Sequence, residues 1–283
     1  MGHIDKNMEK LILIGIIIIL ASCSKDDNAT PEVQNVVDYL FEDGFETTGD
    51  DLQELFPIDG SRWSNLQVVD PNNGENEIEI ESIIAAEGNN SLRIYSRASD
   101  ATLSKADIEK GNFNAPEGST VRISASFYIA STNNIENLLL IDLECCACWD
   151  PTVPDNQCPG IRLMMKDNDH LSIERGKILG STIVQSDVAF PRNEWVDVVW
   201  ELQLSQDNNG LNKLSINNQE VISESGMNMP NASLFKSEFA NNGIDFELQE
   251  PLFYERFQIG ATANPTQFDI ELFIDDVRFE ITE

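Results

Sequence analysis

Histidine, positive charge and long hydrophobic runs are all scarce in this sequence. Histidine occurs only at His3 and His170, so neither a His-rich metal cluster nor a Ser-His-Asp series is available. A glycine-rich phosphate loop is missing too. Lys and Arg total 18 against 49 Asp and Glu, a formal net charge of −31. That charge repels nucleic acid and anionic lipid and argues against both as partners, while it suits a solvated extracellular protein. The apolar run Leu11–Leu20 is half of the about 20 residues that a membrane-spanning helix needs. No segment keeps a 3.6-residue apolar stripe for three turns, which argues against a helical bundle.

What is present begins at the N-terminus. Lys6 and Lys10 precede the short apolar core, and Leu20-Ala21-Ser22-Cys23 follows it, the parts of a secretory signal. The junction resembles the lipobox of bacterial lipoproteins, which implies lipidation of Cys23 and a signal peptide over residues 1–22. Ser24-Lys25-Asp26-Asp27 resembles the export signal of Bacteroidetes-type surface lipoproteins, implying display on the outer membrane. Residues 23–35 read as the lipidated cysteine and a flexible tether, and 36–283 as one domain. Loss of residues 1–22 removes two Lys and two acids (Asp5, Glu9), leaving 47 acidic against 16 basic residues and the same net charge.

Four further cysteines, Cys145, Cys146, Cys148 and Cys158, crowd into fourteen residues. In an oxidising compartment disulfides are expected, with three pairings open. Zinc suits the adjacent Cys145-Cys146 poorly, and no histidine is near. The expected outcome is a loop, Trp149–Gln157, stapled at its base.

Period-two alternation runs through the rest. It is clear in Ile78-Glu79-Ile80-Glu81, in Val121–Ile129 and in Phe268–Leu272, with turn clusters such as Asp207-Asn208-Asn209-Gly210 between strands. Further runs are Val36–Phe41, Leu92–Ser96, Leu138–Glu144, Ile161–Lys166, Leu171–Glu174, Trp195–Leu204, Leu214–Ile216, Glu220–Ile222, Arg256–Ile259 and Asp276–Ile281. More than ten short strands without helices predict an all-β fold, an antiparallel two-sheet sandwich. Residues 225–251 read as a long loop.

Pro191–Ile222 (PRNEWVDVVWELQLSQDNNGLNKLSINNQEVI) resembles the paired hairpins of concanavalin A-like jelly rolls. The opening Phe41–Glu46, the stretch Ala86–Ile94 and the closing Phe273–Val277 resemble, in order, the ends and an inner strand entry of jelly-roll carbohydrate-binding modules. The resemblance implies a jelly-roll β-sandwich whose first and last strands lie side by side. It also implies a structural calcium, held by the Gly44 carbonyl, Glu46, Glu87, the Asn90 carbonyl and Asp275. A hard cation takes six to eight such oxygens.

Leu140-Ile141-Asp142-Leu143-Glu144 resembles the E-x-D-x-E strand of laminarinase-type glycoside hydrolases. Alternate residues would bring 140, 142 and 144 to one cleft. Leu140 stands in the nucleophile's place, so retaining hydrolysis is not expected. A lyase would need a Tyr or His base and a group to neutralise the uronate carboxylate. His170 reads as a turn residue, and Arg162, Arg175 and Lys177 read as partners of neighbouring carboxylates. Among the tryptophans, Trp195 and Trp200 are expected one on each face of a strand and Trp63 in the core, while two roles are open to Trp149, a sugar platform or a cover over the disulfides.

The expectation is a lipid-anchored, cell-surface protein that binds polysaccharide without cleaving it, through Trp149, Glu144 and Arg162. A polysaccharide lyase or a glycoside hydrolase is the alternative, and a surface adhesin a further one.

Overall fold

The computed structural model describes residues 37–70, 75–99, 104–149, 159–166, 168–176, 181–241, 243–245, 247–264 and 267–283. The chain divides into Met1–Gln34 and Asn35–Glu283. The expected signal peptide and tether, together with Cys23, Cys158 and Lys177, lie outside the described residues.

The first strands are β1 (Val37–Asp43), β2 (Asn65–Val69), β3 (Glu77–Glu81), β4 (Ser91–Ser96), β5 (Lys105–Lys110) and β6 (Ala115–Pro116). Next come β7 (Thr120–Ala130), β8 (Asn137–Glu144), β9 (Gly160–Lys166), β10 (His170–Arg175), β11 (Ser181–Ala189) and β12 (Trp195–Gln203). The last are β13 (Leu211–Ile216), β14 (Gln219–Ser225), β15 (Phe253–Tyr254), β16 (Arg256–Ala263) and β17 (Ile270–Thr282). Fifteen of them form two antiparallel sheets, the all-β jelly-roll sandwich that the alternation predicts, while β6 and β15 pair with each other. The first sheet runs β14-β13-β12-β7-β17-β4-β3 with β1 also on β17; the second runs β11-β10-β9-β8-β16-β5-β2.

Each sheet exists because one face is apolar. On β7, Val121, Ile123, Phe127 and Ile129 are fully buried, while Arg122, Ser124 and Tyr128 between them are only partly covered. Phe279 of the first sheet meets Phe257 of the second with ring centroids 5.2 Å apart. Trp63 joins this core against Phe41 and Phe257. Trp200 packs inward, and Trp195 lies outward against Tyr128.

Two expectations on secondary structure need correction. Phe268–Leu272 and Asp276–Ile281 belong to one strand, β17, bent by a bulge between Asp275 and Arg278. Its first half pairs with β4 and its second half with β1, so both chain ends meet there. Within the expected loop, Ala232–Asn241 is a helix, α1, which buries Phe235.

Candidate functional site

The outer face of the second sheet carries the chemistry. Ala106 and Ile108 of β5, Ile141 and Leu143 of β8, Ile161 and Leu163 of β9, and Phe257 and Ile259 of β16 enter the core. The residues alternating with them therefore face outward. Register aligns these as one polar row across six strands: Asn65, Glu109, Gln258, Asp142, Arg162 and Glu174. Five strand spacings make the row about 24 Å wide.

The row is recessed. Asp107, Glu109, Asp142, Glu144 and Glu174 are each at most 9% exposed. On the outer face of the first sheet, Glu77, Glu79 and Asp197 are exposed. Carboxylates so deeply placed need partners. Glu109 accepts from Gln67 Nε2 at 2.8 Å and Gln258 Nε2 at 3.2 Å, with Arg256 Nε at 3.3 Å. Arg256 also reaches towards Glu144, 3.8 Å away. Lys166 Nζ pairs with Glu174 at 2.9 Å. Beside Glu109 and Arg256 opens a pocket of about 670 Å³ that Gly111, Asn112, Phe113, Asn114 and Glu255 complete. That volume lies within the range of ordinary small-ligand pockets.

Arg162 is the cation at the centre. Its Nε donates to Asp142 Oδ2 at 3.1 Å, and its Nη2 is buried without a hydrogen-bond partner. Two glycines make room for this. A Cβ at Gly160 would lie 2.5 Å from the Leu143 carbonyl, and one at Gly176 would lie 3.3 Å from Arg162 Nε. Asp107 stands among these charges on the same face. Burial pushes its carboxyl up to about 8; Lys105 opposes that, while Glu109, Asp142 and Glu144 add to it. The remaining Glu109, Asp142, Glu144 and Glu174 face Lys105, Arg162, Lys166 and Arg256.

The structure treats the expected site residues unevenly. Glu144 and Arg162 do share this face, on neighbouring strands. Trp149 does not join them: it is 4% exposed and packs on Phe239 of α1, centroids 5.6 Å apart, so the platform reading is corrected to a core role. The turn holding it is closed by a Cys145–Cys148 disulfide, and Cys146 is disulfide-bonded too. Leu140 is corrected as well. A bulge between Leu139 and Ile141 sends Leu140 into the core, while Asp142 and Glu144 stay on the polar face. His170 pairs in register with Lys166, four residues from Arg162, or about 13 Å along the strand. Arg162 pairs with a carboxylate as expected. The sequence reading missed Asp107, Glu109, Arg256 and Gln258; the outward alternation in Lys105-Ala106-Asp107-Ile108-Glu109 was the signal for the first two.

The five residues expected around calcium gather at the β17 bulge. Asp275 Oδ2 accepts from the amides of Ala86 and Glu87 at 2.8 and 3.0 Å, and its Oδ1 from that of Asp276. Glu46 Oε1 accepts from the amides of Asn89 and Asn90 at 2.6 and 3.2 Å, which lowers its pKa. A Cβ at Gly44 would sit 4.0 Å from Asp275 Oδ1. Burial outweighs the amide contacts at Asp275 and raises its pKa. Among the described residues no cage of three or more acidic, His or Cys side chains forms, so an ion here would need the Gly44 and Asn90 carbonyls.

Residues 58–278 match the family model described as polysaccharide lyase. The chain belongs to the polysaccharide lyase family. No curated protein sequence matches the chain significantly. Among solved structures, an endo-β-1,4-glucuronan lyase from the fungus Trichoderma reesei is similar, with TM-score 0.56 and 10% identity over 87% of this chain and 95% of that one. A cellulose-induced protein gives TM-score 0.54 and 12% identity, covering 84% and 96%. An alginate lyase gives TM-score 0.51 and 9% identity, covering 86% and 97%. At these identities the likeness is one of fold. The family match overturns the expectation of a non-catalytic binding protein and favours its alternative. Leu140 in the nucleophile's place is no obstacle to lyase chemistry, which needs no nucleophile.

Proposed function

We propose that this protein is a polysaccharide lyase, cleaving a uronate-containing glycan by β-elimination on the outer face of its second sheet. The observation that carries the reading is Arg162, a cation fixed by Asp142 at the centre of the recessed polar row. Elimination removes the proton beside a carboxylate, forms a C=C bond and breaks the bond from C4 to the glycosidic oxygen, which takes up a proton. Negative charge builds on the carboxylate as the proton leaves, so a preorganised cation stabilises the transition state. Arg162 serves that role. Glu144, one strand from Arg162 and beside Arg256, takes the proton and returns it to the glycosidic oxygen.

Two other groups are set aside by geometry. His170 is too far from Arg162 to act on the same sugar ring. Tyr254 is fully buried, its hydroxyl donates to the Asn228 carbonyl at 2.6 Å, and burial raises its pKa well above the ordinary value. The test is a panel of polyuronates, alginate and glucuronan among them, read by the ultraviolet absorbance of the unsaturated product. Absorbance should rise with wild type and drop sharply with Arg162→Lys; equal rates would remove Arg162 from the mechanism.

The reading extends to location and stability. The apolar core and Leu20-Ala21-Ser22-Cys23 support export and lipid anchoring at Cys23, with display on the outer membrane. Cys23→Ala should leave the protein unprocessed or released; membrane fractionation with normal cleavage would oppose the anchor. The cluster at the β17 bulge supports a structural calcium, with Glu46, Glu87 and Asp275 joined by the Gly44 and Asn90 carbonyls.

A further inference from the structure

Asp107 is fully buried at the middle of β5, and neither of its carboxyl oxygens has a hydrogen-bond partner. Opposite it in register stands Gly260, which has no side chain to offer one. The diagonal positions on β16 are Gln258 and Thr262, each buried, and Gln258 Oε1 and Thr262 Oγ1 are also without partners. Gln258 spends its amide nitrogen on Glu109, so the oxygen is what remains for Asp107. An ionised Asp107 can accept from the Thr262 hydroxyl but leaves Gln258 Oε1 unsatisfied, because a carboxylate and an amide oxygen present acceptors only. One proton changes the accounting: a carboxyl O–H can donate to Gln258, and the other oxygen can accept from the Thr262 hydroxyl.

We propose that Asp107 works as a neutral carboxylic acid, a positioning residue whose O–H fixes the Gln258 amide in the row that a uronate glycan meets. This rests on the lyase reading for its consequence, though not for the protonation itself. The charged groups facing Asp107 agree with it. On β5 these are Lys105 and Glu109; across β16 they are Arg256 and, on β8, Asp142 and Glu144; β2 contributes the uncharged Gln67. Three carboxylates beside a buried acid favour its neutral form, and Lys105 is the cation that opposes them. A neutral acid also spares an incoming polyanion one negative charge.

Asn is the conservative replacement, because its amide donates where the carboxyl O–H does. The primary experiment is infrared spectroscopy of the whole protein at neutral pH, where exposed carboxyls are ionised. Wild type should show a protonated-carboxyl C=O band that disappears on raising the pH through about 8, and Asp107→Asn should lack it. No band in wild type, or the same band in Asp107→Asn, overturns the proposal. A melting temperature raised by a divalent cation in wild type but not in Asp107→Asn overturns it as well, in favour of a metal ligand.

Activity gives a second reading. Asp107→Ala should raise KM about tenfold, the scale of unpairing buried polar groups, while Asp107→Asn restores it and keeps that KM at alkaline pH. An Asn variant as impaired as the Ala variant contradicts the positioning role. If no glycan is cleaved, the lyase reading fails, and the infrared band still decides the state of Asp107.

Discussion

Arg162 and Asp142 face each other across β9 and β8, Nε 3.1 Å from Oδ2, in the middle of a recessed polar row. Both side chains are largely buried, so the pair is screened little by solvent and its geometry is fixed. Asp142 occupies one edge of the guanidinium, and Nη2 has no hydrogen-bond partner. Arg162→Lys keeps the charge and loses the fork. Steady-state kinetics should show kcat/KM lower by about 10²-fold or more, the scale of removing one preorganised donor, with little change in melting temperature. Unchanged kinetics would place the carboxylate elsewhere.

Tyr254 is assigned to structure. Tyr254→Phe removes the donor to the Asn228 carbonyl and should cost about 1–2 kcal/mol of stability in denaturant unfolding. The pH–rate profile should keep its shape. A loss of activity much larger than the loss of stability would return Tyr254 to the list of bases.

Trp149 is buried against Phe239 beside the Cys145–Cys148 turn. Trp149→Ala should lower stability by about 3–5 kcal/mol, the range for emptying a large aromatic site, and leave glycan affinity of the folded fraction unchanged. Weaker binding at unchanged stability would restore the platform.

Much of this fold was legible because alternation is strong where one strand face is wholly apolar, as in Val121–Ile129. β5 was missed, since its six residues begin and end with Lys and only Ala106 and Ile108 among them are apolar. With β5 went Asp107 and Glu109, and so part of the site. Leu140 was misplaced for another reason: one extra residue in a bulge moves a side chain to the opposite face, and no pattern in Leu138–Ile141 marks it. α1 escaped because its mixed sequence buries only Phe235. Arg162 and Glu144 were found from composition, as charges beside an aromatic loop. The sequence held no sign that register would align Arg162 with Gln258 and Glu109, or Glu144 with Arg256.

The β17 bulge joins both ends of the domain through Asp275 and Glu46. If calcium completes the cluster, chelation should lower the melting temperature, and Asp275→Ala should remove that sensitivity, because an ion bound only to the folded chain stabilises it by mass action. Identical melting curves with and without chelator would leave the amide contacts alone to hold the ends.

Folding stability should carry the mark of Asp107. Between its ordinary value of 3.8 and about 8, the folded chain keeps a proton that the unfolded chain has released. Stability therefore falls as pH rises across that window, and Asp107→Asn should flatten the fall. Parallel pH–stability curves for the two proteins would contradict this.

Product stoichiometry on a uronate glycan is the direct test of elimination. Each elimination makes one new reducing end and one C=C bond conjugated to a carboxylate. Unsaturated ends, read by ultraviolet absorbance, should therefore accumulate in equal number to reducing ends. Reducing ends without absorbance would show hydrolysis, and binding without either product would show that this polar face does no chemistry on the glycan.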